Sequence, residues 1–329
     1  MDPSELWPGY RPTPLIELPA LARRASVGRI FVKAESERPL GNFKALGGMV
    51  AGLRALARAR GESRPRLICA SDGNHGLSVA AAAQRAGAKA SVYLPAHVSP
   101  NRAARIEALG GEVVWIAGTY DDAVQAAANA AARREGLLIP DTTPDPDDPV
   151  VKDVMAGYAL LTQELVAQLR DDVRDRPTHA FVQAGVGGLA AAVADGLADH
   201  LRAPGKLLIV EPESAACVSR ALQAGHPVQI PGDLRTSAEM LSCGLASAAA
   251  LKILRRHDVG SILVSENQLQ TAVHALREAS GPETTPSGAA GLAGLLHVAA
   301  HGALRDEHAL HSDSTVLLIA TEGPVPNDR

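Results

Sequence analysis

Short β-branched or apolar runs alternate with longer Ala-rich amphipathic stretches along the whole chain. That alternation restricts the fold to α/β, with mostly parallel sheets wrapped by helices. The predicted strands fall at 29–32, 67–70, 90–94, 113–116, 137–139, 180–183, 207–210, 262–264 and 316–319. The helices between them include 43–59, 75–86, 102–109, 120–134, 150–169 and 188–201. An all-helical or all-β chain would show one periodicity, not both. At 329 residues a single core gives way to two lobes, so a cleft is expected between them. The sharpest break is the Pro/Asp-rich stretch 143–149, where Pro144, Pro146 and Pro149 each remove a backbone donor and fix φ. It is expected to cross between the lobes or to line the cleft.

Several partner classes are excluded by charge and residue usage. The formal net charge is −4, with acidic and basic residues evenly mixed, which leaves no basic stripe for a nucleic acid. Cys69, Cys217 and Cys243 are odd in number and widely spaced, which argues against a disulfide framework and a zinc cage and points to a reducing compartment. The first fifteen residues lack the basic and apolar regions of a signal peptide. Every Ala/Leu-rich stretch is interrupted by Arg, Gln, Asp or His before it reaches membrane-spanning length. A soluble, cytoplasmic protein with no membrane or nucleic-acid partner is expected.

Three glycine-containing segments carry the chemistry. Gly41-Asn42-Phe43-Lys44-Ala45-Leu46-Gly47-Gly48 places a lysine at the start of a helix, behind an aromatic residue. Most lysines are solvated; one desolvated here would have a lowered pKa, as imine formation requires. Ala70-Ser71-Asp72-Gly73-Asn74-His75-Gly76 follows a strand and opens a helix, so its exposed amides suit an anion such as a carboxylate, although a plain Asx-type turn would look the same. Gln183-Ala184-Gly185-Val186-Gly187-Gly188-Leu189 repeats the strand, glycine turn and helix arrangement. It has neither the Lys-Ser/Thr pair of a Walker loop nor the full three-glycine dinucleotide fingerprint, which leaves a single compact phosphate as its ligand.

Taken together and in this order, Asn42-Phe43-Lys44, the Ser71 to Gly76 loop and the Gly185 to Leu189 loop resemble the pyridoxal 5'-phosphate (PLP) enzymes of the tryptophan synthase β-subunit fold, fold type II. Thr13-Pro14-Leu15 and Val210-Glu211-Pro212 match as well, so the resemblance spans nearly the whole chain. Within that superfamily the sequence is most similar to the diaminopropionate ammonia-lyases. The features that carry this are Lys44 to Gly48, the acid at Asp72, Asp141-Thr142, Cys243-Gly244, Ser287-Gly288-Ala289 and Thr321-Glu322-Gly323. Serine and threonine dehydratases usually lack the acid at the Asp72 position. After Asp141-Thr142 those lyases continue with an aromatic residue and a Glu-Gly-Tyr run, where this chain has Thr143-Pro144-Asp145-Pro146-Asp147-Asp148.

The resemblance implies a larger phosphate-binding domain of 1–48 and 157–329, a smaller domain of 49–156, and a homodimer. It implies PLP on Lys44, its phosphate on Gly185, Val186, Gly187, Gly188 and Leu189, and its ring hydroxyl beside Asn74. Ser71, Gly73 and His75 become substrate-binding candidates, with His75 also readable as a helix cap. Asp72 and Asp141 become proton-transfer acids on opposite ring faces, one for each hand of 2,3-diaminopropionate. Thr321, with Ser287 in reserve, would face the pyridine nitrogen. The expected activity is α,β-elimination of ammonia from that small amino acid, giving pyruvate. A dehydratase, racemase or β-replacement enzyme on the same fold, or a PLP-binding protein without turnover, are the competing readings. Cys243 reads as a small buried residue, and Lys152 and Asp153 as a solvated helix face.

Overall fold

The structure is a computed structural model that describes residues 3–59, 65–71, 73–169 and 175–325. The strands sort into two sheets. A six-stranded sheet combines β1 (Leu15–Glu17), β2 (Arg29–Ala34), β7 (His179–Gln183), β8 (Lys206–Pro212), β9 (Val259–Val264) and β10 (Thr315–Ala320) in the order β1-β2-β10-β7-β8-β9. A four-stranded sheet combines β3 (Leu67–Ala70), β4 (Ala90–Pro95), β5 (Gly111–Ile116) and β6 (Leu137–Leu138) in the order β5-β4-β3-β6. Every pairing is parallel except β1 with β2. The expected α/β class is therefore what the chain adopts.

Burial explains why the strands read as continuous apolar runs. β3, β7 and β10 are buried at every residue, as strands covered by helices on both faces must be. The edge strands β5 and β9 are only partly buried, and leave Trp115 and Leu263 exposed. β1 was not anticipated: three residues are too few to display a period.

Two helices tie the halves together, α2 (Lys44–Arg58) and α6 (Pro149–Gln168). Small residues allow the close packing. A Cβ on Gly48 would lie 1.8 Å from Ser78 Oγ of α3 (Asn74–Ala86), and one on Gly157 would lie 2.5 Å from the Leu46 carbonyl. Asp153, expected to be solvated, is instead buried and paired with Arg54 (2.7 Å) and Arg58 (2.6 Å) of α2. It buried its charge because two cations converge on it. Lys152 does stay on the surface, paired with Asp147.

The 143–149 stretch leads from β6 into α6. Asp148 caps α6 by accepting from the Val150 and Val151 amides (2.8 and 2.9 Å), and Pro149 takes the first helical position, where no donor is needed. Thr143 O accepts from Ala248 N (2.9 Å), and Asp147 pairs with Lys252 (2.8 Å), so the segment crosses to α9 (Ala248–Leu254). Among the described residues, no helix is long and apolar enough to cross a membrane.

Candidate active site

A cavity opens where the C-terminal ends of β7 and β10 meet the first turns of α2 and α3. Its wall includes Lys44, Ser71, Asn74, Asp141, Gly185, Val186, Gly187, Gly188, Leu189, Ser287 and Thr321. Residues far apart in sequence thus converge as expected. Gly73 and His75 do not reach this wall, and Asp72 lies outside the described residues.

Lys44 is the first residue of α2. The segment delivering it passes through positive φ at Leu40 (70°) and Gly41 (73°), a turn that costs energy at a leucine. It is pinned by Phe43 N donating to Thr321 O (3.0 Å) and by the Phe43 ring packing 5.0 Å from that of Tyr158. Lys44 Nζ then reaches Asp141 Oδ2 at 2.6 Å. Burial alone would lower the lysine's pKa, but the Asp141 carboxylate outweighs it and holds the ammonium well above its usual range. The expected lowered pKa is thus reversed, because desolvation is met by a paired charge. Asp141 in turn is driven below the carboxylate range: burial opposes this, and the Lys44 charge overcomes it.

Asp141 is steered from two sides. Thr119 and Asp122 form a capping box that starts α5 (Tyr120–Ala132), and the first residue of that helix, Tyr120, donates to Asp141 Oδ1 at 2.9 Å. The His75 ring bonds the Ile139 carbonyl at 2.7 Å, two residues before Asp141. Burial lowers the pKa of His75, so Nε2 carries the proton to that carbonyl and His75 supports the acid rather than facing the cavity. Ser71 Oγ accepts from the Gly73 and Gly76 amides (both 2.9 Å), closing the loop at the start of α3.

The glycine loop ends at Gly187 (φ +97°), which precedes α7 (Gly188–Leu197) with no side chain capping its first amides. A Cβ on Gly187 would stand 3.3 Å from Val218, and one on Gly185 would stand 3.1 Å from the Met240 carbonyl. The uncapped amides and the bare backbone leave the donors and the close approach that a phosphate would need. Gln183 Nε2 donates to Thr321 Oγ1 (3.2 Å), and Met240 N donates to Ser287 Oγ (3.1 Å). Both hydroxyls accept, so each keeps its own proton to donate. The loop, the lysine amine and a hydroxyl donor share one cavity and fit the phosphate, aldehyde and ring nitrogen of PLP.

Tyr120, Tyr158 and Glu322 also line the cavity and were not singled out from sequence for a role. A signal existed for the tyrosines: the chain has only four, and two of them are here. Glu322 is buried and accepts from Asn74 Nδ2 and from Thr285 Oγ1 (2.7 Å). Burial raises its pKa against the pull of those donors. Cys243 lies on the cavity wall, half-buried.

The chain belongs to the pyridoxal-phosphate dependent enzyme family, whose model matches residues 6–322. It is therefore a PLP enzyme of fold type II. It is 34% identical to the diaminopropionate ammonia-lyase of Escherichia coli K12, covering 96% of this chain and 85% of that protein. It is 33% identical to the biosynthetic L-threonine dehydratase of the same organism, but covers only 55% of it. The crystal structure of the holo E. coli diaminopropionate ammonia-lyase superposes with a TM-score of 0.86 at 32% identity, covering 98% of this chain and 88% of that one. Another structure of that enzyme, in complex with an aminoacrylate-PLP azomethine reaction intermediate, gives a TM-score of 0.88.

Proposed function

We propose that this protein eliminates the β-amino group of 2,3-diaminopropionate, or the β-substituent of a close analogue, and that water then releases the α-amino group, so that the diamino acid and one water give pyruvate and two molecules of ammonia. The observation that carries this is the buried Asp141 carboxylate, held by Tyr120 at 2.9 Å and placed 2.6 Å from Lys44 Nζ. PLP supplies the electron sink that lets the Cα–H bond break. Lys44 holds PLP covalently, the amides of Gly185 to Leu189 bind its phosphate, and Asn74 meets its ring hydroxyl. Thr321 donates to the pyridine nitrogen, with Ser287 in reserve. Ser71 and the start of α3 take the substrate carboxylate.

With Lys44 tied up in the resting enzyme, an entering substrate would meet the buried Asp141 carboxylate. A β-ammonium would offer it a charge-assisted hydrogen bond, whereas a β-hydroxyl would offer only a neutral donor. This favours a diamino acid over serine or threonine. Asp141 and Asp72 then move the Cα proton from opposite faces, Asp141 for the L-isomer and Asp72 for the D-isomer. Residues 1–48 and 157–329 form the phosphate-binding lobe and 49–156 the smaller one, in a cytoplasmic homodimer whose mass light scattering would report.

The test is kcat/KM for both isomers of 2,3-diaminopropionate and for serine and threonine, with wild type and with Asp72→Asn and Asp141→Asn. Each replacement should depress one isomer selectively, by roughly 10² to 10⁴-fold. Equal losses on both isomers would end the two-acid assignment. Turnover of threonine with none of the diamino acid would favour the dehydratase reading.

A further inference from the structure

Resting on the reading of Asn74 as the contact to the PLP ring hydroxyl, we infer that Glu322 is a positioning residue that sets the orientation of the Asn74 amide. An asparagine amide has two N–H donors on one nitrogen and an acceptor oxygen on the other arm, and rotation by half a turn exchanges them. Only the orientation with nitrogen toward the cavity can donate to a ring oxygen. Asn74 opens α3, and among the described residues of its own loop the Ser71 hydroxyl is engaged by the Gly73 and Gly76 amides rather than by the Asn74 amide. The restraint comes from the opposite half of the molecule: Asn74 Nδ2 donates to Glu322 Oε2. One N–H is thereby fixed on an acceptor, and the second stays free for the cofactor.

Glu322 is suited to this because it is held on several sides. Its other oxygen accepts from Thr285 Oγ1 (2.7 Å), and its backbone carbonyl accepts from Thr284 Oγ1. Its backbone forms a bridge with Asn42, two residues before Lys44, and the next residue, Gly323, donates to Gly41 O (3.0 Å). On the other side it packs over Gly288, where a Cβ would come within 3.0 Å of the Glu322 carbonyl. A rigid support of this kind is what a directed hydrogen bond requires. The contact also joins α3, from the four-stranded half, to the end of β10 in the six-stranded half. The ring contact and the joining of the halves therefore share one carboxylate.

The experiment compares purified holoenzyme of wild type, Asn74→Ala, Glu322→Ala, Glu322→Gln and the double Ala variant. The readouts are the position of the visible PLP absorption band, the PLP dissociation constant, and kcat and KM separately. Glu322→Ala should move the band in the same direction as Asn74→Ala and weaken PLP about ten-fold or more, since a hydrogen bond to a charged group is lost. The double variant should lose no more than Asn74→Ala alone, because both act through one contact. Glu322→Gln keeps an oxygen facing Asn74, with Thr285 turning to accept, and should stay within about three-fold of wild type in PLP affinity. If Glu322→Ala does not fold, Glu322→Asp withdraws the carboxylate by one methylene and should shift the band in the same direction. Losses that multiply in the double variant, or an unchanged band in Glu322→Ala, would overturn the inference while leaving Asn74 in place. An unchanged band in Asn74→Ala would overturn the reading of Asn74 and this inference with it.

Discussion

Replacing Glu164 with Gln tests whether a buried charge cluster holds the lysine-bearing segment to the rest of the fold. Glu164 of α6 is 6% exposed in its side chain, and Lys33 and Arg38 beside it are fully buried. It accepts from Lys33 Nζ at 2.6 Å, from Arg38 Nη1 and Nη2 at 2.7 and 2.9 Å, and from Tyr10 and the Thr13 amide. Glu35 balances Arg38 at 2.6 Å, so the cluster holds two cations and two anions. Glutamine keeps the volume but leaves one buried positive charge unbalanced, which costs about 3–5 kcal/mol. With an unfolding entropy of roughly 2.1 cal/mol/K per residue over 329 residues, that corresponds to a drop of about 4–7 °C in Tm. Burial already lowers the pKa of Lys33 against the pull of Glu164, and without Glu164 it falls further. The unfolded state then binds more protons than the folded one, so stability rises with pH, and the deficit should shrink between pH 7 and 9. Thermal melts of wild type and Glu164→Gln, at both pH values with saturating PLP, measure this. A drop below about 1 °C, or a deficit that grows with pH, would refute the reasoning.

On the proposed covalent role of Lys44, Lys44→Ala should abolish the visible aldimine band and turnover while leaving far-UV dichroism unchanged; a retained aldimine band would displace it from the site. Gly187→Leu should chiefly weaken PLP affinity, because the φ of +97° strains any side chain and the bare backbone approaching the phosphate is covered, and a PLP titration reads this directly. Glu211, fully buried, caps α8 (Cys217–Ala224) by accepting from the Val218 and Ser219 amides, both at 2.8 Å. Burial outweighs those donors and raises its pKa from 4.5 to about 8. The folded state then holds a proton the unfolded state has released, so stability should fall as pH rises from about 5 to 8. Denaturant titrations across that range should show the slope in wild type and a smaller one in Glu211→Gln.

The sheets were legible because parallel strands covered on both faces must be apolar throughout, and β3 (67–70) is found at the predicted residues. The start of α6 was legible to within one residue because the proline-rich break ends there: the helix was expected from 150 and begins at Pro149. The glycine loop and Lys44 stood out as candidates because each lies where a helix begins beside glycines, and the fold brings both to the wall of one cavity. The support around them was not. Tyr120 stands 21 residues before Asp141 and meets it only because the fold brings the first residue of α5 to the segment that follows β6. Glu322 reaches Asn74 across 248 positions. No local pattern encodes such pairings.

The lysine shows how this gap can change a chemical conclusion. Read locally, Lys44 sits in an apolar setting and should lose its proton easily. In the fold, Asp141 arrives 97 residues later in the chain and stabilises the ammonium instead. Sequence located the amine and the acid separately, but their relative pKa depends on a distance of 2.6 Å that only the tertiary structure fixes.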